Sequence, residues 1–121
     1  AVLERMDKFF KQADLQEEGK ALLQASKDEV IEINNQGVRL AQEGKLEEAI
    51  ELLRQAVGQL PNNFRIRLNL AGMLLKRLQE HGKEDALLYE TRKELERANS
   101  LRPGDAKCLE YLQLLDRLVA A

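Results

Sequence analysis
Tryptophan is absent from this chain, and aromatic residues together make up 4% of its 121 positions. Only two prolines occur, Pro61 and Pro103. A β-sandwich or barrel wants more aromatic and β-branched residues and denser turn signals, so those architectures are excluded. The single cysteine, Cys108, allows no internal disulfide and suits a reducing compartment. The single histidine, His81, has no second His or Cys at ligand spacing, so no metal, cofactor or catalytic base is expected there. Gly19, Gly44 and Gly82 stand in isolation and build no phosphate loop. No apolar run approaches the ~20 residues that span a bilayer, and no signal peptide is visible. A cytoplasmic protein is therefore expected. It opens on Ala1 rather than Met, which reads as part of a longer protein.

Charge is present in quantity but without strong bias. Charged residues make up 33% of the chain, hydrophobic ones 44%, and the net charge is −2. That balance is globular rather than disordered, and it carries none of the basic stripe that a nucleic-acid backbone demands. Residues 1–60 hold 8 basic and 12 acidic side chains, and residues 61–121 hold 11 and 9, so the second half is the more positive. The commonest residues include Leu, Ala, Glu, Gln, Lys and Arg, all strong helix formers.

The punctuation of the sequence is helical. Ser26-x-x-Glu29 has the form of a capping box, Asp14-x-x-Glu17 is a weaker version, and Asn62-Asn63 and Asp105 can cap the helices that follow Pro61 and Pro103-Gly104. A turn recurs as Glu18-Gly19-Lys20, Glu43-Gly44-Lys45 and His81-Gly82-Lys83. Glycine adopts the left-handed conformation that ends a helix, so each copy reads as a helix–turn. The periodicity predicts helices over about 2–24, 27–43, 46–59, 64–81, 84–100 and 105–119. Leu46, Ala49, Ile50, Leu53, Ala56, Val57 and Leu60 carry the core face of one of them, and Leu109, Leu112, Leu115 and Val119 that of the last. The expected fold class is all-α, with antiparallel hairpins at 27–59 and 64–100, a closing helix at 105–119, and an N-terminal linker helix or degenerate repeat over 1–25.

Val30 to Pro61 resembles a tetratricopeptide repeat, a helix–turn–helix unit of 34 residues. With Val30 at its first position, Gly37, Ala49 and Ala56 fill the small-residue positions, Leu40 and Leu53 the large apolar ones, and Pro61 the closing proline. Ile33 and Gln36 depart from the family's Trp and Leu. A second unit from Phe64 to Pro103 is eight residues longer, with Leu70, Ala71, Leu74, Leu95 and Ala98 in register. Gly82 lies 38 residues after Gly44, which gives each helix of the second hairpin about one extra turn. A lengthened second hairpin and a closing helix also look like the C-terminal region of some bacterial response regulators, although no receiver-domain residues are present.

The resemblance implies a non-enzymatic protein–protein interaction module, a scaffold that holds a partner segment in a groove lined by the first helices of successive repeats. In the family the sixth position often carries an Asn that grips the backbone of the bound segment. Here that position is Asn35, then Asn69, then Tyr111. The same register puts Val38, Arg65, Leu68, Leu75, Lys76 and Lys107 in the groove, beside Ile31, Asn34, Gly72 and Leu114. Arg65, Lys76 and Lys107 favour an acidic partner. Asn34 and Val38 stand where the family's clamp for a free C-terminal carboxylate needs Lys and Asn, which argues against that ligand. A signal-transduction setting is expected. The alternative is a structural or homodimerising element, since Leu3, Met6, Phe9 and Phe10 make the N-terminal helix apolar enough to pair with a second copy.

Overall fold
The computed structural model describes residues 16–121, with side chains from residue 27 onward. Five helices make up these residues: α1 (Gln16–Gln42), α2 (Leu46–Gln59), α3 (Phe64–His81), α4 (Asp85–Leu101) and α5 (Ala106–Ala120). No strand occurs among them, as the sequence implies for an all-α chain. The cluster Leu3, Met6, Phe9 and Phe10 lies outside the described residues, and so does most of the helix expected over 2–24.

Four of the helix ends follow the expected punctuation. Gly44 has φ +85 and Gly82 has φ +89, a region that a side chain would strain. At the first of these turns Lys45 N–H donates to Leu40 O at 2.9 Å and Gly44 N–H to Ala41 O at 3.1 Å. These two bonds satisfy carbonyls that the end of α1 would otherwise leave unpaired. Asn63 caps α3, its side chain accepting from Ile66 N–H at 3.0 Å, and Asp105 caps α5, accepting from Cys108 N–H at 3.1 Å. In the second helices the expected lengthening appears, with 17 residues in α4 against 14 in α2, whereas α1, at 27 residues, is longer than the 18 of α3.

The start of α1 differs from expectation. Its backbone runs helical through Gly19 and Ser26, so neither the Gly19 turn nor a helix start at Ser26 forms, and the expected boundary at 25/26 falls inside one helix. A helical glycine costs only about 1 kcal/mol relative to Ala, which good helix formers on both sides offset. A capping pattern marks a helix end only where the chain reverses, and here the backbone continues as helix through Ser26.

α1 packs on α2, α3 on α4, and the two hairpins stack through α2 on α3, with α5 closing against α3 and α4. Two apolar clusters result. The first joins Val30, Leu46, Ala49, Ile50, Leu53, Ala56 and Val57 to Ile66, Leu70, Met73, Leu74 and Leu78 of the next hairpin. The second holds Phe64, Ala71, Leu75, Leu95, Ala98, Cys108 and Leu115. The small residues have the mechanical role their spacing implies: a Cβ added at Gly37 would overlap Leu53 Cδ2. On α5 the buried face is rotated from the expected stripe. Leu115 is buried and Leu112 half-buried as expected, but Leu109 and Val119 are exposed, and Cys108, Tyr111, Leu114 and Leu118 also face the core. Two apolar rows run along this helix, and the small Cys108, whose thiol donates to Leu95 O at 3.6 Å, fits the inner one.

Polar ties fix how the helices meet. Arg54 of α2 donates to both carboxylate oxygens of Glu90 on α4, at 2.9 and 2.7 Å. Arg67 of α3 pairs with the buried Glu94 at 2.9 Å and also donates to Pro61 O at 2.7 Å. Arg77 of α3 bridges back to Glu47 of α2.

Candidate protein-interaction face
Helices α1 and α3 open the two hairpins, the closing helix α5 takes the equivalent place after them, and α3 touches both α1 and α5. Three arrangements link the candidate residues across them. Asn35 and Arg65 line the same open cleft between α1 and the start of α3. One turn along, Asn69 Nδ2–H donates to Asn34 Oδ1 at 3.2 Å. Farther along α3, Tyr111 of α5 lies over Gly72 so closely that a Cβ there would sit 2.8 Å from its hydroxyl oxygen. Lys107 reaches over the Tyr111 ring, 5.3 Å from its centre.

The candidate residues differ in what they can offer a ligand. Asn35, Arg65, Lys76 and Lys107 are exposed. Neither Asn35 nor Arg65 has a hydrogen bond or ion pair with any described residue, so their donors remain available. Lys107 sits 3.9 Å from Glu110, an exposed and weak pairing. Val38 and Leu68 are half-buried, Val38 against the first core cluster and Leu68 against the second. Leu75 is a correction: at 1% exposure it is a core residue of the second cluster and supplies no groove floor. Its neighbours Ala71, Leu95 and Leu115 claim it because the second hairpin is buried on both sides.

Asn69 is the other correction. The register offers its amide to a bound segment, yet it is half-buried and spends one donor on Asn34, which is 3% exposed. A buried amide must find a partner, and across the hairpin junction the nearest one is another amide.

The cleft itself has a volume of about 470 Å³ and is lined by Ile31, Asn34, Asn35, Asn62, Asn63, Phe64, Arg65, Ile66, Leu101 and Arg102. Asn62, Leu101 and Arg102 had no sequence signal for such a role. Asn62 reads as a cap, but Asn63 does the capping and Asn62 accepts from Arg97. Arg102 is brought in by the length of α4 and is held over the Phe64 ring, 4.7 Å from its centre.

Cys108 is fully buried, and burial first, then the nearby Asp105 carboxylate, push its thiol pKa up, so it stays protonated at neutral pH. His81 is exposed at the end of α3. Among the described residues no three His, Cys, Asp or Glu side chains converge as a metal site would need, and no helix is long and apolar enough to cross a membrane.

No curated protein matches the chain. The family model described as Tetratricopeptide repeat matches residues 40–80. The match begins at the end of α1, covers α2 and ends within α3, so it takes the second helix of one hairpin with the first helix of the next. Such a repeat points to a protein–protein interaction module. Stacked hairpins, small residues at the helix crossings and this match together support a tetratricopeptide-repeat-like arrangement, matched by the family over residues 40–80.

Proposed function
We propose that the chain is a non-catalytic interaction module that holds an extended segment of a partner protein across α1, α3 and α5. The observation that carries this reading is the unengaged amide of Asn35 beside the unpaired Arg65 at the cleft between α1 and α3. A side-chain amide both donates and accepts, so it can pair with a peptide group, whatever residue that group belongs to. Around it Val38, Leu68 and Tyr111 offer half-buried apolar surface, and Lys76 and Lys107 add positive charge. The helices beneath are held by two apolar clusters and by ion pairs on the other side, so the face is rigid before it meets a ligand. In a larger signalling protein this face would be the docking point rather than the output.

The test uses peptides selected from a capped random library displayed against the full chain. Amide chemical-shift changes should map to α1, α3 and α5. Asn35→Ala should weaken the selected peptides by about 1–3 kcal/mol, since a peptide group loses its partner. Shifts confined to α2 and α4, or affinities unaffected by Asn35→Ala, would overturn the assignment.

A further inference from the structure
The cleft between α1, the start of α3 and the end of α4 is built from cations and neutral groups alone. Its lining includes Arg65 and Arg102 and contains no aspartate or glutamate. Several other arginines are neutralised within the molecule. Arg39, Arg54, Arg67, Arg77 and Arg92 each pair with a carboxylate of the chain itself. Arg65 pairs with none, and Arg102 meets only the face of Phe64. That ring contact fixes the guanidinium plane at the rim while leaving its N–H donors unspent. The whole chain carries a net charge of −2, so these unpaired cations stand against a slightly negative background.

The neutral groups complete the arrangement. Of the four asparagines, Asn34 is engaged with Asn69, Asn62 with Arg97 and Asn63 with Ile66 N–H. Asn35 alone keeps its amide free. Ile31 is 40% exposed, an unusual position for a large aliphatic side chain, and it borders the cleft.

We infer that this cleft takes an aspartate or glutamate side chain of the partner segment, flanked by an aliphatic residue that rests on Ile31. The inference rests on the peptide-binding reading above and names the residue type the bound segment must supply. Arg65 and Arg102 receive the carboxylate as charge-assisted donors. Asn35 takes the peptide group next to it. Arginine suits this task because its planar fork meets both oxygens of a carboxylate and cannot lose its charge.

The experiment is a selection of N- and C-capped random decapeptides on the full chain, repeated on the Arg65→Glu/Arg102→Glu double variant. Thermal unfolding confirms that both proteins are folded. Wild-type selection should enrich one acidic residue beside an aliphatic one. Affinity for those peptides should fall about tenfold or more in Arg65→Gln/Arg102→Gln. It should hold within about twofold in Lys93→Gln, since Lys93 lies over Tyr89 on α4 and away from the cleft. The charge-reversed variant should enrich lysine or arginine at the same place. Selected peptides without an acidic preference, or with affinity unchanged in Arg65→Gln/Arg102→Gln, overturn the carboxylate anchor. If such peptides still depend on Asn35, the peptide-binding reading survives that failure. Preference for phosphoserine over glutamate at the anchor also overturns it. Failure to enrich any peptide overturns both.

Discussion

Asn69 on α3 donates from its Nδ2 to the Oδ1 of Asn34 on α1, so a side-chain amide bond joins the first helices of the two hairpins. Asn34 is almost wholly buried, and its carbonyl has no water to fall back on. Replacing Asn69 by Ala should therefore destabilise the fold by about 1–3 kcal/mol, despite the better helix propensity of Ala. A double-mutant cycle with Asn34→Ala should show coupling between the two sites. Denaturation midpoints measure it, and additive single-site effects would refute the bond.

The glycines should separate by what surrounds them. Gly37→Ala should cost about 1–3 kcal/mol, because its methyl group meets the fully buried Leu53. Gly58→Ala on α2 meets nothing and should stabilise by about 0.5–1 kcal/mol. Chemical denaturation of the two variants should give opposite signs.

Leu53→Ala should cost roughly 2–5 kcal/mol, since Leu53 is fully buried between α1 and α2 and the cavity left behind cannot collapse. In a Leu53→Ala background the penalty of Gly37→Ala should shrink, because the overlapping methyl is gone. An undiminished penalty would mean that the clash lies elsewhere.

Cys108 sets a pH dependence at the alkaline end. Burial and Asp105 raise its pKa above the ordinary value of about 9, so the folded state keeps the proton that the unfolded chain releases. The stability this provides is complete below the ordinary thiol pKa and is lost as pH rises through the folded value. Unfolding free energy should fall from pH 8 upward more steeply in the wild type than in Cys108→Ala. At neutral pH a thiol reagent should modify Cys108 only at the rate of unfolding.

Breaking the pair between Arg67 and Glu94 should be costlier than breaking any exposed one. Glu94→Ala leaves a largely buried guanidinium without its carboxylate and should cost about 3 kcal/mol. Glu32→Ala, whose partner Arg39 is exposed, should change stability by less than about 0.5 kcal/mol. Equal effects in thermal melts would show that burial does not govern these pairs.

Hairpin phasing was readable in the residues because it depends on local chemistry. Gly44 and Gly82 can hardly be anything but helix ends, and Ala49, Leu53 and Ala56 repeat at helical spacing. Side-chain fates at the hairpin junction were not readable. Asn34 and Asn69 sit 35 positions apart, and only the crossing of α1 and α3 makes them partners. The cleft was readable only in part: Ile31, Asn34, Asn35 and Arg65 share a repeat register, but Arg102 comes from the far end of α4 and shares no spacing with them. On α5, Leu109 and Cys108 belong to competing stripes of similar apolarity, and only packing against Leu95 decides between them. Gly19 shows the converse, a turn residue whose local preference α1 overrides.

The seating of Tyr111 on Gly72 also makes the protein its own optical instrument. With tryptophan absent, near-ultraviolet absorption and emission come from two tyrosines. Tyr89 is 67% exposed on α4 and already reports water, whereas Tyr111 is half-buried between α5 and α3. A change in tyrosine signal that precedes loss of helical circular dichroism therefore records α5 lifting from α3, separately from unfolding of the hairpins. In a Tyr89→Phe variant this lone chromophore would time the opening of the closing helix without any added label.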